Sequence, residues 1–360
     1  MAKILILANS DLGLYKFRKE LIEELLKDNE VFISLPDGGF IKDLVNLGCN
    51  FIETQVDRRG LNPILDLILM FNYNKLIKNI KPNLVITYTI KPNIYGGFMS
   101  KANNIDYVSN ITGLGTAFQK RGMLNKLVVK LYTRALNKSK VVFFENEENR
   151  QTFINRKILS EEKTFKLNGA GVNLEEYKFT SYPKTDNGIR FLFIGRVMRE
   201  KGINELLSAA QRIKSEYHDV EFDIIGPEED SYLNILSNLH ENRTINYYGY
   251  QSDVKPFIER AHCFVLPSYH EGMANTLLES GAIGRPLITS NIFGCKEAVI
   301  EGENGYLVPV GDSEYLYRVI KKFIETSQVE KIRMAENSRK LIEIKFDKKD
   351  IVNKTIWKIL

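Results

Sequence analysis

The chain has 360 residues, of which 44% are hydrophobic and 26% are charged. This composition excludes a disordered or fibrous protein and leaves room for two domains, each with its own core. The most apolar stretch, residues 64–71, contains Asp66, so it is too short and too polar to be predicted as a membrane span. Three scattered cysteines and four histidines form no zinc-binding pattern, and they favour a reducing cytoplasm.

Positive charge is concentrated in the first half of the chain. The formal net charge is +8 over residues 1–170 and −3 over residues 171–360, which predicts an anionic partner for the first half. Residues 116–140 contain no acid, and their cations alternate with apolar residues at helical spacing. This basic segment is either a solvated helix face over the core or a surface for anionic lipid or a diphosphate. Nucleic acid is not predicted as the partner, because no known nucleic-acid-binding motif accompanies these cations. The cations of the basic segment are Lys120, Arg121, Lys126, Lys130, Arg134, Lys138 and Lys140.

Short β-rich runs alternate with helical patterns along the first half of the chain. The first run starts at residue 3 without a basic leader, so neither a signal peptide nor secretion is predicted. Alternation of this kind predicts a parallel sheet with helical crossovers. The expected strands cover residues 3–8, 31–35, 84–88, 107–111 and 141–144, and the expected helices include residues 16–28 and 122–138.

A polar stretch that contains Pro183 and Gly188 interrupts this pattern, and a second series begins after it. The sequence therefore predicts two doubly wound α/β domains that face a central cleft, with ligands beyond the carboxyl ends of the strands. We expect a first domain over residues 1–172, a linker over residues 173–188 and a second domain over residues 189–346. The second series predicts strands near residues 190–194, 221–225, 245–248, 263–266 and 286–289, and helices near residues 203–216, 230–240, 274–283 and 312–326.

Glycines follow three of the predicted strands, at residues 9–13, 113–115 and 195–196. Glycine permits close backbone approach, and the helix that follows such a turn attracts phosphate at its N-terminus. An ordinary tight turn is the alternative at each place. None of the three completes a dinucleotide-binding or P-loop pattern, which disfavours hydride transfer and P-loop hydrolysis. The chain has no Asp-x-Asp pair, the usual sign of a metal-bound nucleotide sugar.

Residues 195–202 place Arg196, Arg199 and Lys201 at a predicted strand-to-helix turn. Backbone N–H groups at such a turn already favour an anion, and the bidentate guanidinium and the compact ammonium suit a diphosphate. The alternative is a charged turn in which these cations pair with Glu200 and Glu205.

Residues 267–280 carry Glu271 at the end of a predicted strand and Glu279 about two turns into the next helix. Ribose hydroxyls and a sugar ring both need such hydrogen-bond acceptors. Two glutamates at this spacing are commonplace by themselves. Their position behind a glycine-bearing strand end, downstream of residues 195–202, favours a binding site.

These residues resemble a known family. The turn at residues 195–202, followed by Glu271 and Glu279, is similar to the donor site of the family 4 glycosyltransferases, which are retaining enzymes of the GT-B fold. Residues 110–115 and the opening stretch resemble members that assemble bacterial polysaccharides and glycans, such as those that add N-acetylgalactosamine to undecaprenyl-diphosphate sugars. Further similar segments are residues 168–173, 294–297 and 302–309.

The resemblance implies roles for individual residues. Arg196, Lys201 and Glu271 are the expected catalytic residues: the two cations would neutralise the donor diphosphate, and the carboxylate would face the sugar hydroxyls. Glu279 would accept hydrogen bonds from the ribose. The other expected donor-binding residues are Gly13, Gly195, Met273, Ala274 and Asn275, the last three through their backbone N–H groups.

The acceptor side departs from the family pattern. Several members place a histidine after the fourth strand, whereas residues 89–92 contain none. Lys91 is the candidate there for an anionic acceptor group. The GT-B resemblance also implies that a final helix, residues 347–360, returns to the first domain with Trp357 on its apolar side. The remaining candidates for acceptor or membrane contact are Lys120, Arg121, Lys126, Lys130 and Arg134.

Together with this resemblance, the residue patterns predict a transferase that needs neither a metal nor a cofactor, and the resemblance implies that it retains the anomeric configuration. It would move a hexose or N-acetylhexosamine from a UDP-sugar to a polyprenyl-diphosphate-linked saccharide in surface polysaccharide or glycan biosynthesis. Its expected location is cytoplasmic, peripheral on the inner face of the cell membrane, with an anionic membrane surface as partner. Two alternatives stay open: a nonhydrolysing UDP-sugar 2-epimerase and a non-catalytic UDP-sugar-binding subunit.

Overall fold

The computed structural model describes residues 1–57, 60, 62–114, 118, 122–186 and 188–359. Its contacts divide the chain into two compact units. The first unit comprises Met1–Ala170 and Lys348–Leu360, and the second comprises Gly171–Asp347. No helix within the described ranges is long and apolar enough to cross a membrane.

The first unit is built on a parallel sheet. Its strands, seven over the described residues, lie in the order β3-β2-β1-β4-β5-β6-β7. The chain moves outward from β1 to β3 and then returns to place β4 on the other side of β1, so the strand order reverses between β1 and β4. Doubly wound sheets bind ligands at such a reversal. The strands are β1 Ala2–Leu7, β2 Asn29–Leu35, β3 Asn50–Glu53, β4 Leu84–Tyr88, β5 Asp106–Ile111, β6 Val142–Phe144 and β7 Thr164–Lys166.

Helices cover both faces of this sheet. Alternate residues of a strand point to opposite faces, and accordingly Ile4 and Ile6 join one apolar core while Leu5 and Leu7 join another. A π-helical turn, Pro92–Gly96, precedes α4. The helices are α1 Asp11–Leu26, α2 Ile41–Asn46, α3 Pro63–Ile80, α4 Gly97–Ala102, α5 Met123–Leu136, α6 Glu147–Asn155 and, from the end of the chain, α13 Lys348–Ile359.

The last helix, α13, packs on α1 of the first unit. Ile351, Thr355 and Ile359 are buried, and their spacing of four residues places them on one face of the helix. Trp357 is not on that apolar face: it is 72% exposed. The prediction for this side chain is wrong because the buried stripe runs through the positions on either side of it.

The second unit repeats the same architecture. Its strands, six over the described residues, lie in the order β10-β9-β8-β11-β12-β13, so the order reverses between β8 and β11. The strands are β8 Ile189–Ile194, β9 Val220–Ile225, β10 Asn246–Tyr247, β11 Cys263–Leu266, β12 Leu287–Ser290 and β13 Gly305–Val308. The helices are α7 Ile203–Glu216, α8 Leu233–Glu241, α9 Lys255–Arg260, α10 Asn275–Ile283, α11 Ser313–Glu325 and α12 Gln328–Phe346.

Residues 173–188, predicted as a linker, belong to the second unit. The fully buried Arg285 explains why they pack there. Its guanidinium donates to the Thr180 hydroxyl at 2.7 Å and to the Glu259 carbonyl at 2.7 Å. A buried cation needs such acceptors, so this stretch is tied to α9 and α10 rather than left as a free connection.

Candidate active site

The strand reversal of the second unit brings together two turns that are about 70 residues apart in sequence. After β8 the chain forms a single 3-10 turn, Arg199–Lys201, and then enters α7. Gly202 joins the two with φ +71°, and a Cβ there would clash with the carbonyl oxygen of Pro267 at the end of β11. Glycine is therefore required at this position for the two turns to approach each other.

The approach places a lysine against a glutamate. Lys201 Nζ lies 2.5 Å from Glu271 Oε1, and the buried Ser268 donates its hydroxyl to the same oxygen at 2.8 Å. The side chains of Lys201 and Glu271 are 19% and 10% exposed. The sequence predicted both residues as catalytic, and the structure adds that they are direct partners. Lys201 thus pairs across the strand reversal, not with Glu200 or Glu205 as the alternative interpretation expected.

Tyr269 connects the same two turns through hydrogen bonds. Its backbone N–H donates to the Glu200 carbonyl at 2.8 Å, and its hydroxyl donates to Glu205 at 2.7 Å. The hydrogen bond to Glu205, followed by burial, raises the pKa of Tyr269. The phenol thus stays protonated and continues to hold the start of α7 beside the end of β11.

Arg196 lies apart from this pair, on the turn directly after β8. Its guanidinium donates to Glu229 at 3.1 Å, and the side chain is 45% exposed. Gly195, beside it, has its Cβ position 3.4 Å from the ring of Phe193, which is ordinary contact. The structure thus gives Arg196 a solvent-accessible guanidinium and gives Gly195 no conformational requirement for glycine.

A second glycine turn packs beneath Glu271. Gly294 has φ +87°, and a Cβ there would lie 2.6 Å from the Gly272 carbonyl oxygen. Its carbonyl accepts the Ala274 N–H at 2.9 Å. The Ala274 N–H, predicted to meet phosphate or sugar, is therefore already engaged within the protein. Met273 is buried beside it.

Asn275 begins α10 with a polar atom that lacks a partner. Its side-chain carbonyl oxygen is buried, and it accepts no hydrogen bond from any residue that the structure describes. A buried acceptor without a donor costs free energy. A ligand hydroxyl or amide at the N-terminus of α10 would satisfy this atom.

Glu279 lies one turn further along α10, beside Tyr177. Burial first, then the charges of Glu279 and Glu176 and a hydrogen bond to Glu279, raise the pKa of this phenol well above its usual range. Tyr177 therefore remains a neutral donor that can hold the Glu279 carboxylate. The sequence did not point to Tyr177, because it lies in the polar stretch that was interpreted as a linker.

In the first unit, Gly13 lies in the first turn of α1, not in a loop. Its N–H donates to the N-cap hydroxyl of Ser10 at 3.3 Å. The buried Asp11 accepts the N–H groups of Gly38 and Phe40 at 2.7 and 2.8 Å. An internal carboxylate thus lies at the start of α1, two residues before Gly13, the expected donor-binding residue.

Lys91 has a carboxylate partner. Its Nζ lies 2.7 Å from Asp66 Oδ1 on α3, and the Tyr95 hydroxyl donates to Asp66 Oδ2 at 2.8 Å. The charge of Lys91 is therefore neutralised by a residue to which the sequence assigned no function. The signal in the sequence that could have indicated Asp66 was a helical pattern over residues 63–80, which places this carboxylate in the first turn of a helix.

The basic segment is an amphipathic helix over its described part. α5 buries Val128 and Tyr132, while Lys126, Lys130 and Arg134 are exposed. Lys120 and Arg121, the other two candidates of this segment, lie outside the described residues. Among the described residues, no three His, Cys, Asp or Glu side chains are grouped so that they could hold a metal.

Comparison with known proteins agrees with this architecture. The family model "Glycosyl transferase 4-like" matches residues 3–146, and "Glycosyl transferases group 1" matches residues 175–341. A Campylobacter jejuni protein, N,N'-diacetylbacillosaminyl-diphospho-undecaprenol alpha-1,3-N-acetylgalactosaminyltransferase, is 25% identical over 354 residues, which cover 93% of each chain.

Two solved structures share the fold. Anabaena HepE, solved with UDP and glucose, has a TM-score of 0.81 at 18% identity and covers 99% of this chain and 98% of its own. A glycosyltransferase from Rickettsia africae has a TM-score of 0.80 at 18% identity, covering 99% and 97%. The GT-B fold expected from the sequence is confirmed. With both family models matched and the fold shared, the chain belongs to the family 4 glycosyltransferases.

Proposed function

We propose that this glycosyltransferase moves a hexose or N-acetylhexosamine from a UDP-sugar to a polyprenyl-diphosphate-linked saccharide, with retention and without a metal. The observation that carries the proposal is the Lys201–Glu271 pair, 2.5 Å apart, at the strand reversal of the second unit. The UDP bound in the HepE structure supports the nucleotide, and the activity of the Campylobacter jejuni relative supports the acceptor.

The pair gives the donor two complementary partners. A diphosphate at the turn after β8 would compete with Glu271 for the Lys201 ammonium. Glu271 would then be free to accept hydrogen bonds from the hydroxyls of the sugar, and Ser268, 2.8 Å away, would continue to donate to it. The exposed guanidinium of Arg196 adds a second cation for the diphosphate.

The chemistry rests on stabilisation of the leaving group. The bond between the sugar C1 and the β-phosphate oxygen breaks, and its electron pair goes to UDP. Lys201 meets the negative charge as it develops, which is where preorganised charge lowers a barrier most. The acceptor hydroxyl forms the new bond to C1 on the same face, and its proton passes to the departing phosphate. No protein nucleophile takes part.

The nucleotide end of the donor would lie along α10. Glu279, held by Tyr177, would accept hydrogen bonds from the ribose hydroxyls. The unpartnered side-chain oxygen of Asn275 would accept a further hydrogen bond from an N–H or O–H group of the nucleotide or sugar. Metal independence follows from this assignment, because cations of the chain, not an Asp-x-Asp site, neutralise the diphosphate.

The acceptor determines where the enzyme works. A polyprenyl diphosphate has its lipid in the membrane, and UDP-sugars are made in the cytoplasm. We therefore place the enzyme on the inner face of the cell membrane, in surface polysaccharide or glycan biosynthesis. The exposed cations of α5 would face anionic lipid there.

The test is a set of UDP-sugars offered to the purified chain with a polyprenyl-diphosphate-linked acceptor. A true donor raises thermal stability, because it binds only the folded state, and it yields a product whose anomeric configuration NMR can assign. Retention and activity in EDTA are expected. An inverted product, or a requirement for a metal, would contradict the proposed mechanism. A new sugar epimer without acceptor would indicate an epimerase, and donor binding without turnover would indicate a binding subunit.

A further inference from the structure

The helix α3 leaves much of its apolar surface uncovered. Leu69, Tyr73, Ile77 and Ile80 form the buried stripe that packs on the sheet. Large apolar side chains also occupy the opposite face of the first turns, where they are between 45% and 68% exposed. A helix that is apolar all round is normally buried, and an exposed patch of this kind indicates a partner. The exposed residues are Ile64, Leu65, Leu67, Ile68 and Phe71.

A second apolar cluster lies at the start of α5. Met123, Leu124 and Leu127 are between 40% and 90% exposed. Both α3 and α5 pack against the π-helical turn at Pro92–Gly96 and against α4. Both helices follow strands of one parallel sheet, so both begin at its carboxyl edge. The two clusters therefore lie at the same end and on the same face of the first unit.

The exposed charged residues of these two helices have one sign. Asp66 is the only acid in the sequence of α3, and Lys91 and Tyr95 hold both of its oxygens. The sequence of α5 contains no acid, and its Lys126, Lys130 and Arg134 are exposed. The surface thus combines uncovered apolar side chains with cations, which complements a bilayer interface that contains anionic lipid.

We propose that the first turns of α3 insert into the lipid bilayer, while the cations of α5 contact anionic headgroups. The partner is a membrane surface, and the apolar face of α3 provides the part of the attachment that does not depend on charge. This inference rests on the proposed function for its biological setting, since a lipid-linked acceptor lies in a membrane. A second copy of the chain is the competing occupant of the same surface.

The test compares vesicle binding of three sets of variants. The first replaces Leu67, Ile68 and Phe71 by Gln, and the second replaces Lys126, Lys130 and Arg134 by Gln. The matched control replaces Val329 and Ile344, which are 77% and 67% exposed on α12 of the second unit, by Gln. Each protein is sedimented with phosphatidylcholine vesicles that contain phosphatidylglycerol, at about 0.1 M and about 1 M salt, where the screening length falls from about 10 Å to about 3 Å.

We expect the α3 variant to bind at least tenfold more weakly than the parent at both salt concentrations. The α5 variant should bind more weakly at low salt and like the parent at high salt, because only the electrostatic part is screened. The control should bind like the parent throughout. Binding of the α3 variant at parental strength would overturn the proposal. So would a parent that is dimeric by light scattering and becomes monomeric in the α3 variant without loss of vesicle binding.

A second measurement separates this inference from the proposed function. UDP-sugar stabilisation, and transfer to an acceptor dissolved in detergent, should be the same in the α3 variant as in the parent, because these side chains project to solvent. If the parent binds vesicles through α3 but transfers no sugar, the proposed function fails and the membrane surface stands. If transfer occurs and vesicle binding does not depend on α3, the membrane surface fails and the function stands.

Discussion

Both units hold a shielded lysine–carboxylate pair near the carboxyl ends of their strands, yet the two pairs are built differently. Lys201 and Glu271 come from the turns after β8 and β11, the two strands at the reversal, and a required glycine lets these turns meet. Lys91 follows β4, but its partner Asp66 belongs to α3 and is also held by Tyr95.

The difference lies in what each pair connects. A pair between two turns at the strand reversal lies where doubly wound sheets bind their ligands, so a bound ligand could replace one of its partners. A pair between a helix and the following turn joins two elements of the fold. A lysine after a central strand is therefore insufficient to predict a site, and the element that supplies its partner separates the catalytic role proposed for Lys201 from the structural role proposed for Lys91.

Glu271→Gln should have the largest effect among variants that keep both lysines. The amide retains the shape but not the charge, so both donor binding and the reacting end of the sugar are disturbed. We expect kcat/KM for the UDP-sugar to fall by about 100-fold, the scale of losing one group that acts in the transition state. Steady-state kinetics checks this. An unchanged kcat/KM would remove Glu271 from the site.

Asp66→Asn should act on stability instead. It leaves the Lys91 ammonium without its charged partner, which we expect to cost about 2 kcal/mol of unfolding free energy. Urea unfolding followed by circular dichroism measures this. UDP-sugar KM should be unaffected. A variant with parental stability but lost activity would make Lys91 the functional lysine.

Tyr177→Phe should have a smaller effect, confined to donor binding. The variant removes the hydroxyl that holds Glu279 and keeps the ring packed on the core. KM for the UDP-sugar should rise a few-fold with kcat unchanged, because ribose contacts act equally in the ground and transition states. A change in kcat with constant KM would be inconsistent with the ribose role of Glu279.

The smallest expected effect concerns His262, which connects residues 173–188, the stretch predicted as a linker, to β8. Its Nδ1 accepts the Arg190 N–H at 2.9 Å, and its Nε2 donates to the Lys184 carbonyl at 3.1 Å. Burial, more than the nearby cations, lowers the pKa of His262 below its usual value of 6.5. The neutral ring therefore stabilises the fold above about pH 6.5, and this contribution is lost as the pH falls further.

Replacement of His262 by Gln removes this titration. The urea midpoint, followed by circular dichroism, should fall less between about pH 7.5 and pH 5 in His262→Gln than in the parent. Equal losses in the two proteins would show that His262 does not contribute to the pH dependence.

The sequence predicted the two doubly wound series because most of their strands are buried runs of β-branched and aromatic residues. Three strands were missed, namely β3, β7 and β13. β3 and β7 are short edge strands, Asn50–Glu53 and Thr164–Lys166, and too few residues show the alternation. β13, Gly305–Val308, lies inside a segment that was interpreted only as a family motif.

The candidate site was predictable in part. The spacing in residues 195–202 and 267–280 indicated Lys201 and Glu271, but only the three-dimensional contact shows that they are partners. Tyr177 and Asp66 were not assigned functions, because their roles depend on neighbours distant in sequence. Gly13 was assigned to a turn because α1 was expected to begin at residue 16. In the structure α1 begins at Asp11, with Ser10 as its N-cap.

The most direct test of the account compares Lys201→Ala with Lys91→Ala in the same transfer assay. If Lys201 stabilises the charge that develops on UDP, its loss should lower kcat by two or more orders of magnitude in protein that is still folded, although removing the cation beside Glu271 should also lower the unfolding free energy. Lys91→Ala should lower the unfolding free energy and leave kcat within a few-fold of the parent. A Lys201→Ala variant with near-parental kcat would contradict the electrostatic mechanism proposed for this enzyme.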